Sequence, residues 1–128
     1  MKNYIVFKGN KYTVEWYFND NDNSQSKDYF LELDKKQKAS LFALIKLLDD
    51  QGQLKNKEKF NYEGDSIYAF KPTPDRFLCF FYEGNKIIIT NAFRKKQQKL
   101  PSSEKTKALK SKKDYNDRVK KGTYYDDK

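Results

Sequence analysis

"SIYAFKPTPDRFLCFFYEGNKIIITNAF", from Ser66 to Phe93, contains three short apolar runs parted by two turn-forming sequences. The runs are Ser66–Lys71, Arg76–Tyr82 and Lys86–Phe93, rich in the aromatic and β-branched residues that suit a pleated surface. "PTPD" and "EGN" between them are loop and hairpin signals, so the three segments read as an antiparallel meander. A sheet is therefore expected at the centre of the fold.

Upstream, "NYIVFKGNKYTVEWYF" reads as two further strands, Tyr4–Phe7 and Tyr12–Phe18, around the Gly9-Asn10 turn. "NDNDNSQS" is a polar loop whose Ser26 is a candidate cap for a short helix through Leu33. Asp34 then caps a longer helix ending near Gln51, with Gly52 as its stop. In that helix Leu41, Leu44, Ile45 and Leu48 share one face, with Phe42 beside them. The pair forms an αα-hairpin whose apolar stripe belongs to the core. "KNKEKFNYEGD" is read as a polar link to the meander.

Downstream, Pro101-Ser102-Ser103-Glu104 opens a helix running to about Lys121, with Ser102 the better cap candidate. Its apolar residues are only Ala108, Leu109, Tyr115 and Val119, so it must lie on the surface. "GTYYDDK" reads as a frayed tail. The expectation is an α+β fold in one domain, residues 1–121, with residues 122–128 a flexible tail. A small antiparallel sheet packs against the N-terminal helical hairpin and carries a basic C-terminal helix.

Composition narrows the function. The chain has 128 residues with 10 Phe and 10 Tyr, enough for a modest aromatic core. No apolar run approaches the roughly 20 residues of a membrane span, and the N-terminus reads as carrying no secretory signal. Cys79 is the single cysteine and His is absent, which excludes an internal disulfide and a Cys–His nucleophile. Cys79 reads as a small buried hydrophobe, and the setting as a bacterial-type cytoplasm. The carboxylates are scattered, as in Asp20/Asp22 and Asp49/Asp50, so no metal or other cofactor is expected.

Charge is concentrated. From Ala92 to Lys121 there are 12 Lys/Arg against 3 acids, while the rest of the chain carries 15 of each. The whole net charge of +9 thus sits in one quarter of the chain, the footprint of a polyanionic partner such as RNA or DNA. A solvated helix that only aids solubility is the bland alternative.

The order of elements, with "IYAFK…DRFLCFFYEGNKIIITNAFRKKQQKLPSSEKTKAL", resembles the RelE/HigB-type toxins of type II toxin–antitoxin systems, in particular the phage-derived HigB-like branch. The specific part is the spacing Phe93-Arg94-Lys95-Lys96, Lys99-Leu100-Pro101, Glu104, Ala108. The likeness runs from about Tyr12 to Arg118; residues 1–11 look like an added strand. Two departures stand out. The family's Glu-Leu-Arg is Ala69-Phe70-Lys71 here, keeping one cation and losing one acid, and a frequent His gives way to Asn91-Ala92.

The resemblance implies a RelE/ParE-like fold and metal-independent cleavage of mRNA, generally on the ribosome, by attack of the 2′-hydroxyl on its own phosphate. Such a reaction needs a base, positive charge on the phosphate and a donor for the leaving oxygen. The residues expected to supply these are Arg76 as phosphate clamp, Lys71 for proton abstraction or a second phosphate contact, and Lys95 and Lys96 for flanking phosphates or the transition state. Asn91 and Phe93 would line the pocket, with Arg94 and Lys99 as further RNA contacts and Tyr115 a weaker candidate. Lys105, Lys107, Lys110, Lys112 and Lys113 would dock ribosomal RNA (16S rRNA). A cognate helix-turn-helix antitoxin protein is the expected partner, and no membrane is involved. Blander readings stay open: Arg76 paired with Asp75 at a strand end, Phe93 half in the core, Lys71 marking a strand end before Pro72, Asn91 at a turn or sheet edge. So do two rival functions, a ParE-like gyrase inhibitor and a non-catalytic RNA- or ribosome-binding module.

Overall fold

The structure, a computed structural model, describes residues 2–83 and 85–125. Six strands and three helices follow in the order β1 (Ile5–Lys8), β2 (Thr13–Trp16), α1 (Gln25–Leu31), α2 (Lys35–Gln51), β3 (Phe60–Tyr62), β4 (Tyr68–Phe70), β5 (Asp75–Tyr82), β6 (Lys86–Arg94) and α3 (Ser102–Lys121). They form one sheet in the order β1-β2-β6-β5-β4-β3. The meander β4-β5-β6 is antiparallel, as are β1-β2 and β3-β4, whereas β2 joins β6 in parallel. The fold is α+β as expected, with that parallel pair the departure from an all-antiparallel sheet.

Alternation along the strands divides the core in two. One sheet face (Val14, Trp16, Phe70, Phe77, Cys79, Ile87, Ile89) packs on Phe30, Leu41, Ile45 and Leu48 of the helical hairpin. The other (Ala69, Leu78, Phe80, Ile88) packs on Ala108 and Tyr115 of α3. Three layers result, with the sheet in the middle. No helix among the described residues is long and apolar enough to cross a membrane.

Asp34 caps α2 through a capping box with Gln37, and Gly52 ends it at φ 79°, a left-handed conformation that suits glycine. The α1 cap is Ser24, not Ser26: Ser24 Oγ accepts from Lys27 N–H, while Ser26 is buried inside the helix and donates to the Ile89 carbonyl. The first residue of α3 is Ser102 itself; Pro101 stands at the cap and no side chain caps that end. β3 lies in the segment expected to be a polar link. Three residues carry too little pattern to announce a strand, and pairing with β4 makes it one. Of the expected free tail, Tyr124 is buried among Tyr17 and Tyr115, and Tyr125 donates to Glu15 Oε1; residues 126–128 lie outside the described residues.

A buried carboxylate closes the β1-β2 turn. Asp49, on α2, accepts from the backbone N–H of Asn10, Lys11 and Tyr12 at 3.0, 2.7 and 2.8 Å. The close approach requires glycine at position 9, where a Cβ would lie 2.4 Å from Asp49 Cγ. Burial works to raise this carboxyl, but the donated bonds, led by that of Tyr12, outweigh it and hold it below its ordinary value. Its folded form therefore binds a proton less readily than the unfolded chain, so the stabilisation is complete above the unfolded value of about 3.9 and is lost as the pH falls through the folded value. Asp49→Asn should accordingly be less stable than wild type at neutral pH. The gap should narrow on acidification below about pH 4, in urea melts taken across that range.

Candidate functional site: a cationic cleft on the α3 face

Period-two geometry decides which side chains meet. In β5 the side chains of Arg76 and Leu78 point to the α3 face and those of Asp75 and Phe77 to the hairpin face. Register pairs Arg76 with Phe93 and Asp75 with Arg94. A register shift between Leu78 and Cys79 gives β6 an extra residue there, so Asn91 opposes Leu78 and Phe93 follows onto the same face. On β4, Ala69 is on that face, and Lys71 follows it just past the strand end. Between these strands and the start of α3 lies a cleft of about 480 Å³.

Arg76, Lys71 and Lys95 all line this cleft, as do Phe93, Lys99 and Lys105. Lys95 is pinned beside β5 by its N–H to the Pro74 carbonyl at 2.8 Å. Arg76 does not pair with the neighbouring carboxylate; Nη1 donates to the Asp75 backbone oxygen at 2.9 Å. The Asp75 carboxylate is buried on the far face, accepting from Tyr29 at 2.5 Å and Gln37 at 3.2 Å. Partial burial lowers the Arg76 pKa, opposed by Glu63 and Asp75 nearby, and guanidinium still stays charged at any ordinary pH. Lys71 Nζ donates to the Lys57 carbonyl at 3.2 Å.

Sequence reasoning missed Glu63. It follows β3, lines the cleft, lies 4.0 Å from Lys71 Nζ and accepts from Asn61 Nδ2 at 3.2 Å. An acid absent at position 69 is thus present on the neighbouring strand's side of the cleft. Nothing local in "FNYEGD" announces this, because only the β3-β4 pairing brings the carboxylate there. The first turn of α3 is a second unforeseen contributor: Pro101 and Ser102 line the cleft, so the uncapped, electropositive helix end opens into it.

Other expected residues lie elsewhere. Asn91 is buried, donating from Nδ2 to the Glu104 carbonyl and to Glu104 Oε1 at 3.1 and 3.0 Å, so it fastens the first turn of α3 to the sheet. Arg94 sits on the hairpin face opposite Asp75, and Lys96 is exposed outside the cleft lining. Tyr115 is fully buried in the second core, away from the cleft. Along α3, Lys105 pairs with Asp65, Lys107 with Glu104 and Lys113 with Asp117. Lys110 and Lys112 have no ion pair among the described residues. Cys79 is buried, which pushes its thiol up and leaves it inert as a nucleophile at neutral pH.

No curated protein matches the chain. A family model, phage-derived protein Gp49-like, matches residues 28–113, from α1 through the meander and cleft to the middle of α3. The chain belongs to the phage-derived Gp49-like family.

Proposed function

We propose that this protein is a toxin of a toxin–antitoxin system that cleaves mRNA at the cationic cleft, without a metal and on the ribosome. Gp49-like proteins are associated with RelE-like toxins, which favours a toxin with an antitoxin partner. The observation that carries the nuclease reading is the meeting of Arg76, Lys71 and Lys95 with the carboxylate of Glu63 in one hollow.

Each group has a task there. Arg76 holds the scissile phosphate with its planar fork, and Lys95 offsets charge growing on the phosphate oxygens. Glu63 takes the proton from the 2′-hydroxyl as that oxygen bonds to phosphorus. The bond from phosphorus to the 5′-oxygen breaks, and Lys71, with its ammonium protons, supplies one to the departing oxygen. The products are a 2′,3′-cyclic phosphate and a 5′-hydroxyl end. Lys71 suits the donor role better than the base role, since it already donates to the Lys57 carbonyl. Phe93 offers part of its ring to a base, and Lys99 and Lys105 lie where the strand leaves.

The test is mapping of 5′-hydroxyl ends in a translating extract. Wild type should generate them within reading frames only when ribosomes translate. Glu63→Gln should cut the rate at saturating message about 100-fold while RNA affinity holds or rises, because a proton acceptor and a negative charge are both removed. Intact message, with gyrase trapped on DNA instead, rules the nuclease reading out.

A further inference from the structure

Behind the cleft, on the hairpin face, a groove of about 470 Å³ opens beside the edge strand β3. Its walls include Tyr12, Leu54, Phe81 and a ladder of three rings. Phe60 stacks on Tyr68 at 5.4 Å with 7° between their planes, and Tyr62 meets Tyr68 at 4.9 Å. Tyr62 ends the ladder with 54% of its surface exposed, so one ring is presented to solvent.

The rim is cationic. Lys55 and Lys57 line the groove, Lys59 stands next to it, and Glu58 is the single acid between Gln53 and Tyr62. None of these three lysines has an ion pair among the described residues. Groove and cleft adjoin: Asn61 lines both, and Lys71 of the cleft bonds to the carbonyl of Lys57 on the groove's rim. Only β3, the edge strand, lies between them.

We propose that this groove is a flanking subsite for single-stranded RNA. The strand whose phosphate lies on Arg76 turns over β3 at Asn61 and stacks a base on Tyr62, while Lys55 and Lys57 hold its phosphates. A π-face accepts any base and free ammonium groups accept any phosphate, so the subsite lengthens the footprint without selecting sequence. The inference rests on the RNA-cleft reading and goes beyond it by fixing the path of the flanking strand.

The experiment is fluorescence anisotropy at low salt with two 2′-O-methyl RNAs, a dodecamer and a trinucleotide, neither of which the proposed chemistry can cleave. Tyr62→Ala should weaken the dodecamer about tenfold and change the trinucleotide less than twofold, and Tyr62→Phe should bind as wild type. Lys57→Glu should weaken the dodecamer as well. Dodecamer affinity within twofold of wild type in Tyr62→Ala overturns the proposal, and it does so equally if that variant loses a protein partner instead. Trinucleotide binding that is indifferent to Arg76→Ala would instead count against the cleft, leaving the two failures distinct.

Discussion

Arg76→Ala should fold like wild type and lose message cleavage by about two to three orders of magnitude, the usual cost of removing one pre-placed donor from a developing negative charge. Its side chain lines the cleft and makes one hydrogen bond, to a backbone oxygen. Truncation removes one donor from the Asp75 carbonyl beside the open cleft and breaks no ion pair among the described residues, so the melting midpoint should move by at most a few degrees. Arg76→Lys should recover part of the rate, since it restores the charge but not the two-pronged geometry. A quantitative count of 5′-hydroxyl ends for the three proteins, beside thermal melts, checks this. An alanine protein within a few-fold of wild type would remove Arg76 from the chemistry.

Tyr115→Ala should do the reverse: destabilise strongly, by about 3–5 kcal/mol, as large-to-small changes of buried aromatic residues do. Tyr115 is fully buried and packs edge-on against Phe80, Tyr82 and Tyr124 at 5.6, 5.1 and 4.6 Å. Its hydroxyl shares a 2.6 Å hydrogen bond with that of Tyr125. Domains of this size are commonly stable by only about 5–15 kcal/mol, so the loss is a large share of the total. Tyr115→Phe keeps the packing and should cost only about 1 kcal/mol. Urea unfolding of both variants gives the numbers. RNA affinity of the Phe variant equal to wild type would exclude an RNA contact by the Tyr115 hydroxyl, whereas a clear drop would return that group to the RNA surface.

Those two residues also mark where the sequence was legible. Arg76 opens a run with clear strand character, so its place on β5 follows from pattern, and the alternation Arg76, Leu78, Phe80 fixes its face. The long helix was equally plain, because Asp34, the Leu41–Leu48 stripe and Gly52 agree with one another. Tyr115 was misread for a physical reason: on a helix dense with lysines, an aromatic ring looks equally suited to a base and to a core. Only the sheet beneath α3 decides between them, and it takes the ring.

What the chain hid is set by distant pairing. The register shift in β6 turns Asn91 to the α3 face, where it binds Glu104 instead of substrate. Glu63 enters the cleft only because a three-residue strand pairs with β4. Tyr124 looked like part of a tail, yet its hydroxyl accepts from the Phe18 N–H at 2.9 Å. Local composition records none of these contacts: the Asn91–Glu104 and Phe18–Tyr124 bonds span 13 and 106 residues, and β3 is too short to show a pattern of its own.

The cleft itself is best tested by NMR titration with a nucleoside 3′-monophosphate, following side-chain nitrogen resonances of arginine and lysine together with the backbone amides. Saturable shifts should be largest at Arg76, Lys71 and Lys95 and at the amides of Ser102 and Ser103, with little change at Lys110 to Lys121. Shifts spread evenly along α3, with Arg76 still, would contradict a phosphate site between the strands.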